Sequence, residues 1–322
     1  MREDPAHFAK ICASLPGALE PPPEAPALDA RAARARSRLG LAVAAAIAVL
    51  AVVETVNAVI APFRAPKDAD WEAAAREIRA SFAPGDLIVA APAWADPIMR
   101  LHLGDLVPLE VAARFDDARF GRVWEIGQRG AHAPEAARGT TALERRFGAL
   151  TLRRVDRAPA VITYDFQERW KDAHVSRVTP GRPDAECRWN GERFQCPDIS
   201  FNFVRLQTVE VDTTVHRGLL AQPVEHATVV IAYPAVLLGR ELVVATGLHD
   251  VWHRKEGKGV VDLRVVVGGT PQAAIEATND SGWQLTRIDT AAYAGRTVDV
   301  RFEITSPAAY QRHFVVAAEA RR

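Results

Sequence analysis

Apolar positions along the chain fall into three regimes. From Leu39 to Phe63 they are nearly continuous, LGLAVAAAIAVLAVVETVNAVIAPF, broken only by Glu54, Thr55 and Asn57. About 20 apolar residues are what an α-helix needs to cross the hydrocarbon core of a bilayer. The run predicts one transmembrane helix over residues 39–63, and no second run of this kind occurs in the 322 residues. Between residues 66 and 155 helical spacing alternates with short apolar runs. Beyond residue 157 the apolar positions come in short β-branched runs between turns.

The middle regime reads as an α/β unit. Asp70 is a candidate N-cap, after which Trp71, Ala74, Ala75, Ile78 and Phe82 share one helix face. Pro84-Gly85 stops that helix, and Leu87 to Ala91 has the pattern of a strand buried on both faces. A second helix is expected over Pro97–Leu103, strands over Val107–Val111 and Arg122–Ile126, and a third helix over Thr140–Leu150 with Leu143, Phe147 and Leu150 on one side. Thr151–Val155 closes the unit as a strand. Such alternation predicts a Rossmann-like three-layer domain over residues 66–155. No GxGxxG follows its first strand, so nucleotide binding finds no support.

The last regime predicts a β-sandwich over residues 157–322. Runs at Val161–Phe166, His174–Val178, Phe201–Val211, Thr228–Tyr233, Glu241–Thr246, Val260–Val267, Trp283–Ile288, Thr297–Ile304 and His313–Ala318 read as strands. Gly268-Gly269 and Asn279-Asp280-Ser281-Gly282 mark turns. Residues 1–38, with Pro21-Pro22-Pro23 and Pro26, lack the means to build a core and read as a disordered head. Phe8, Ile11 and Leu15 at helical spacing leave a docking segment as the alternative. The fold class expected is thus α+β multidomain: a single transmembrane helix, a small α/β three-layer domain and a C-terminal antiparallel β-sandwich.

Charge sets the expected orientation. Arg31, Arg34, Arg36 and Arg38 precede the apolar run without an intervening acid, whereas Arg64 and Lys67, then Asp68, Asp70 and Glu72, follow it. Lys and Arg beside a span stay on the cytoplasmic side. The N-terminus is therefore expected to be cytoplasmic and the body periplasmic or extracellular. Glu54 and Asn57 lie in the later half of the run, where a side chain can reach toward the headgroups. A cleaved signal remains the competing reading, with Leu39–Val53 as its apolar region and Val56-Asn57-Ala58 as the cleavage site.

Composition narrows the partners. Forty basic and 40 acidic side chains balance, and no basic stripe with interleaved aromatics argues for nucleic acid. Cys187 and Cys196 flank Asn190-Gly191, a strong turn signal, so a disulfide closing a hairpin is expected on the oxidising side of the membrane. Two thiols without a second pair do not make a zinc pattern. Neither a metal nor any cofactor is expected.

Two stretches resemble known families. Asp70-Trp71, Ala74, Ile78, Pro84-Gly85-Asp86, an apolar strand and Pro92, followed by Arg122-Val123-Trp124, resemble the soluble segment that follows the last membrane helix of polyprenyl-phosphate-sugar glycosyltransferases, relatives of the protein mannosyltransferases. Those enzymes span the membrane many times and carry catalytic acids in an early loop, which this chain lacks. The likeness over residues 66–126 implies place and ancestry rather than transferase activity. The segment Ile288-Asp289-Thr290-Ala291-Ala292-Tyr293-Ala294-Gly295-Arg296-Thr297-Val298 resembles a turn of galactose-binding-like jelly rolls, with the likeness extending over residues 260–320. That family often serves as a carbohydrate-binding module, which implies a jelly-roll-like sandwich and makes glycan the expected ligand class.

Candidate chemistry is sparse. His249-Asp250-Val251-Trp252-His253 would place two imidazoles on one side of a helix. Gly247 and Gly257-Lys258-Gly259 make the segment a loop instead, with no third metal ligand evident. A ligand-binding loop and a solvated loop both remain open. Trp252 and Trp283 suit stacking on a sugar face, and packing is the alternative for each. Asp96, His102 and Asp105 could form an acid–base group, but no nucleophile accompanies them, and Ser81 lacks the Gly-x-Ser-x-Gly turn. Asp262, Asp299 and Glu303 alternate along strands and read as polar surface. The expectation is a non-catalytic envelope protein whose partners are the membrane and a glycan or protein. An accessory subunit of a multi-pass glycosyltransferase is the alternative.

Overall fold

The computed structural model describes residues 30–249, 260–309 and 312–322, with the side chains of 30–38 and 62–64 left aside. Asp250, Trp252 and His253, and most of the expected head, lie outside the described residues. The chain divides into two compact units, Met1–Ala65 and Pro66–Arg322.

The first unit holds helix α1, Ala30–Arg64. Its 23-residue stretch Leu39–Ala61 is long and apolar enough to cross a membrane, and none of it is buried against protein. The helix starts nine residues before the expected span, since Arg31–Arg38 is helical backbone rather than extended head. Ala and Arg are both good helix formers, so the basic segment continues the helix it abuts.

The second unit opens with α2, Asp68–Ser81, burying Trp71, Ala74, Ala75 and Ile78 as the spacing predicts. Asp70 is not the N-cap. It stands in the first turn and reaches back to accept the Lys67 N–H at 3.0 Å. Strand β1, Asp86–Ala91, is buried along its whole length. Helix α3, Asp96–Leu103, buries Met99 and Leu103. The expected strand at Val107–Val111 is instead a loop running into the short helix α4, Leu109–Ala112.

Strands β2, Arg122–Gln128, β3, Thr140–Phe147, and β4, Leu150–Asp156, complete a four-stranded sheet in the order β1-β2-β4-β3. The β1–β2 pair is parallel and the others are antiparallel. Helices α2 and α3 cover one face through Trp71, Ile78, Met99, Trp124 and Leu152. The chain between β1 and β3 covers the other through Phe120, Ala133 and Ala136. The helix expected over Thr140–Leu150 is the β3–β4 hairpin. Gly148 makes its turn at φ 54°, with the Asp70 carboxylate so close that no Cβ would fit.

The remaining strands form the sandwich: β5 Ile162–Asp165, β6 His174–Val178, β7 Ala185–Trp189, β8 Phe194–Gln195, β9 Phe203–Val211, β10 Thr214–Ala221, β11 Thr228–Leu237, β12 Glu241–Leu248, β13 Val261–Val267, β14 Thr270–Ala277, β15 Gln284–Asp289, β16 Thr297–Thr305 and β17 Phe314–Arg321. Hydrogen bonding runs β14-β13-β16-β11-β6-β7-β8-β9-β10-β17-β12-β15, with β5 on β17. The sheet folds over at β7–β8, so that Ile231, Leu263 and Phe302 face Leu219, Val244 and Val316 in one core. Burial of such side chains stabilises by roughly 1.5–3 kcal/mol each. The Cys187–Cys196 disulfide, expected from the sequence, closes this corner. Asn190 shapes the hairpin by accepting the N–H groups of Glu192 and Arg193. The turn at Gly295 has φ 76°, and Tyr293 packs beside it against the core.

β17 is buried on every residue. Its inner side faces the sandwich core. Its outer side meets Phe115, which packs with Val243, Ala245 and Ala317. The four-stranded sheet and the sandwich therefore share a sealed seam.

Candidate functional site

Register brings the loops at one end of the sandwich together. Leu248 pairs with Phe314, Thr246 with Gln284, Val261 with Ala277, Asp262 with Thr305 and Thr228 with Val178. The connections 249–260, 278–283, 306–313, 222–227 and 179–184 thus all leave from the same edge.

A cavity of about 460 Å³ opens there between Pro180 and Pro307, with His226, Thr228, Asp262, Thr305 and Ser306 as its polar lining. Asp262 is exposed. Ser306 donates its hydroxyl to the Val260 carbonyl at 2.7 Å, fixing the chain just before β13. A carboxylate, two threonines, a serine and an imidazole in an open recess can exchange hydrogen bonds with a hydroxyl-rich ligand. They do not form a nucleophile–base pair.

A second group of side chains lies on the neighbouring loops. His249 donates its backbone N–H to the His313 carbonyl at 3.0 Å, and the two rings are 6.3 Å apart. Burial, then the nearby His249 and Arg205, hold the His313 imidazole below the usual histidine range. Arg312 is 1 % exposed and donates to the Asn279 side chain at 2.6 Å, while its Nε has no partner. Burial lowers its affinity for a proton, and no acidic group offsets that.

Of the sequence candidates, the structure places His249 at this end. Trp283 begins from the same end but turns toward the seam. Its ring stacks on His216 with centroids 4.3 Å apart, and its indole N–H donates to the Phe115 carbonyl at 3.2 Å. Asp96, His102 and Asp105 are not assembled as an acid–base group. Asp96 pairs with Arg100, His102 stacks against Trp71, and Asp105 takes a bidentate pair from Arg79 that lowers its pKa. Glu303 accepts from Arg264, and Asp299 accepts the Ala235 N–H. Among the described residues no cluster of three metal-ligating side chains occurs.

Sequence reasoning missed Arg312, His313, Asn279 and His226 as site residues. The signal for three of them was available. Asn279 lies in a recognised turn, Arg312 directly precedes a recognised strand, and His313 begins it. His226 carries no such signal, because its backbone (φ 58°) lies in a left-handed conformation that is uncommon outside glycine.

The described fold is that of a β-sandwich protein preceded by one span-length apolar helix. No protein-family model and no curated protein matches it. Among solved structures it is similar to the CBM51-2 and INT domains of ZmpB from Clostridium perfringens, at 14 % identity over 47 % of this chain and 37 % of that one, with a TM-score of 0.30. It is also similar to the CBM51 of a Clostridium perfringens GH95 protein in complex with methyl-galactose, at 10 % identity over 36 % and 81 % of the two chains, TM-score 0.28. A third is the pair of tandem CBM51 modules of Sp3GH98, a family 98 glycoside hydrolase from Streptococcus pneumoniae SP3-BS71, at 10 % identity over 55 % and 56 %, TM-score 0.30. The chain spans little more than a third of the first of these structures. Likeness of this extent carries no information about a ligand. The resemblance of residues 66–126 to the polyprenyl-phosphate-sugar transferases finds no support in the comparisons.

Proposed function

We propose that this protein is a membrane-anchored, non-catalytic glycan-binding protein of the cell envelope, with its body on the far side of the membrane from its N-terminus. The loop end of the sandwich is its binding site. One observation carries the reading: the 460 Å³ recess lined by Asp262, His226, Thr228, Thr305 and Ser306. Pyranose hydroxyls come in adjacent pairs, and a carboxylate accepts from two of them at once while the threonine hydroxyls and the imidazole donate to the remainder. Trp252, in the sequence between Leu248 and Val261, is the proposed apolar surface for the sugar ring.

Full-length protein in detergent or nanodiscs, applied to a glycan array and then titrated calorimetrically, tests the proposal. Asp262→Asn, which keeps the shape and removes the charge, is expected to weaken the bound glycan about tenfold, the equivalent of 1.4 kcal/mol. Trp252→Ala is expected to weaken it as well. The reading is wrong if no saccharide binds, or if neither substitution alters binding.

A further inference from the structure

Arg312 is the anomaly of this end of the molecule. Its guanidinium is almost wholly withdrawn from solvent. It forms one hydrogen bond, to the neutral Asn279 side chain, and no ion pair among the described residues. Two other arginines, the buried Arg321 and the half-buried Arg157, are treated differently. Arg321, 2 % exposed, pairs with both Asp116 and Glu319. Arg157 pairs with Asp117 and also donates to three backbone carbonyls. Withdrawing a cation from water costs several kcal/mol unless a partner compensates it. A partner supplied from outside the chain removes that cost.

The neighbours of Arg312 are also cationic or basic. His313 follows it directly, His249 faces His313, and Arg205 is close enough to disfavour protonation of His313. Asp262 and Asp280, on the same end of the sandwich, are exposed, and neither pairs with Arg312 among the described residues.

Resting on the glycan-binding reading above, we infer that this end of the sandwich selects an acidic saccharide. Arg312, with His313 and His249 beside it, takes the oxyanion of a uronic-acid-type residue, and the Asp262 recess takes neutral hydroxyls. The planar guanidinium matches a carboxylate through two parallel hydrogen bonds. The free Nε is one of the donors such a fork uses. Asp262 repels a carboxylate from its own recess, which fixes which way round the saccharide lies.

The test compares three oligosaccharides of one backbone against the full-length protein in nanodiscs: the uronate form, its carboxyl-reduced neutral counterpart, and the neutral form carrying a sulfate ester. The uronate is expected to bind at least about tenfold more tightly than the neutral sugar, a 1.4 kcal/mol difference. Raising salt is expected to narrow that gap, because screening acts on the charged pair and not on the neutral ligand. Arg312→Gln should abolish the gap while neutral binding persists. If that variant fails to fold, Arg312→Lys serves in its place. It keeps the charge, loses the fork, and should lower the uronate preference severalfold. Equal binding of uronate and neutral sugars overturns the inference and leaves the glycan reading standing. A preference for uronate that survives both substitutions also overturns it, and tighter binding of the sulfate ester overturns the carboxylate assignment. Absence of binding to all three overturns this inference and the reading it rests on.

Discussion

Trp283 and Phe115 are joined by a hydrogen bond from the indole N–H to the backbone carbonyl at 3.2 Å, although 168 positions separate them. Around that bond Phe115 packs on Val243, Ala245 and Ala317, and the Arg217 N–H donates to Ala113 at 2.8 Å. The covering of β17 on its outer side comes from the chain that links β1 to β2. A sheet buried on both faces needs this second layer, and it makes residues 66–322 one compact unit.

Trp283→Phe keeps most of the ring and removes the donor. The expected loss is about 1–3 kcal/mol, because the Phe115 carbonyl is left without its partner. Glycan affinity should stay unchanged, since both the ring face and the N–H are engaged within the chain. Urea titration of the full-length protein together with calorimetry reads the two effects separately. Weaker glycan binding without a loss of stability would return Trp283 to the binding site.

The seam also holds an ionic network. Glu319 is fully buried and pairs with Arg119 and with Arg321, which in turn pairs with Asp116 at 2.9 Å. Burial works against the charge on Arg119, and the Glu319 and Asp165 carboxylates outweigh it, so its pKa is raised. Glu319→Gln leaves two guanidinium groups undercompensated and should cost about 3–5 kcal/mol. Arg264→Met, which breaks a pair with Glu303 whose arginine is largely exposed, should cost no more than about 1 kcal/mol. Comparable urea midpoints for the two variants would contradict this account of the seam.

How far the sequence foreshadowed this arrangement depends on which signals each segment carries. α2 was legible because Trp71, Ala74, Ala75 and Ile78 repeat at helical spacing and all are buried. Val261–Val265 was legible because apolar and charged residues alternate cleanly, with Val261, Leu263 and Val265 buried and Asp262 and Arg264 exposed. Thr140–Leu150 was misread because Leu143 and Phe147 fit a helix face as well as they fit β3, a mostly exposed terminal strand. The missed clue was Gly148 as a tight turn. β10 went unseen because its hairpin turn uses Asp212 and Thr213, both at positive φ, in place of the usual glycine. β14 was hidden by Pro271, tolerable because β14 ends its sheet. For the site, the sequence pointed to the 249–253 loop but not to Arg312, whose peculiarity is a missing counter-charge. Only three-dimensional packing reveals that.

The disulfide can be tested without reference to a ligand. The sequence has three cysteines, and Cys187 and Cys196 are joined. Thiol titration of unfolded, unreduced protein should find one free thiol, and three after reduction. Cys187→Ser with Cys196→Ser should destabilise by about 2–3 kcal/mol in the chain-entropy view of so short a loop. An unchanged denaturation midpoint would show that the β7–β8 corner holds without the covalent link.

The His313 imidazole supplies a pH signature. Its folded pKa lies below the unfolded value of about 6.5, because burial and the neighbouring His249 and Arg205 disfavour the charged ring. The unfolded chain therefore binds the proton more readily. The stability contributed by the neutral ring is complete above about pH 6.5 and is lost as pH falls through the folded value. His313→Gln cannot take up that proton. Urea midpoints measured between about pH 8 and pH 5 should fall less steeply for His313→Gln than for the unaltered protein. Parallel curves would mean that His313 titrates alike in both states. Because the same ring stands beside Arg312, a saturating uronate oligosaccharide should raise its pKa and flatten the acid limb of the unaltered protein. The neutral sugar should leave that limb as it was.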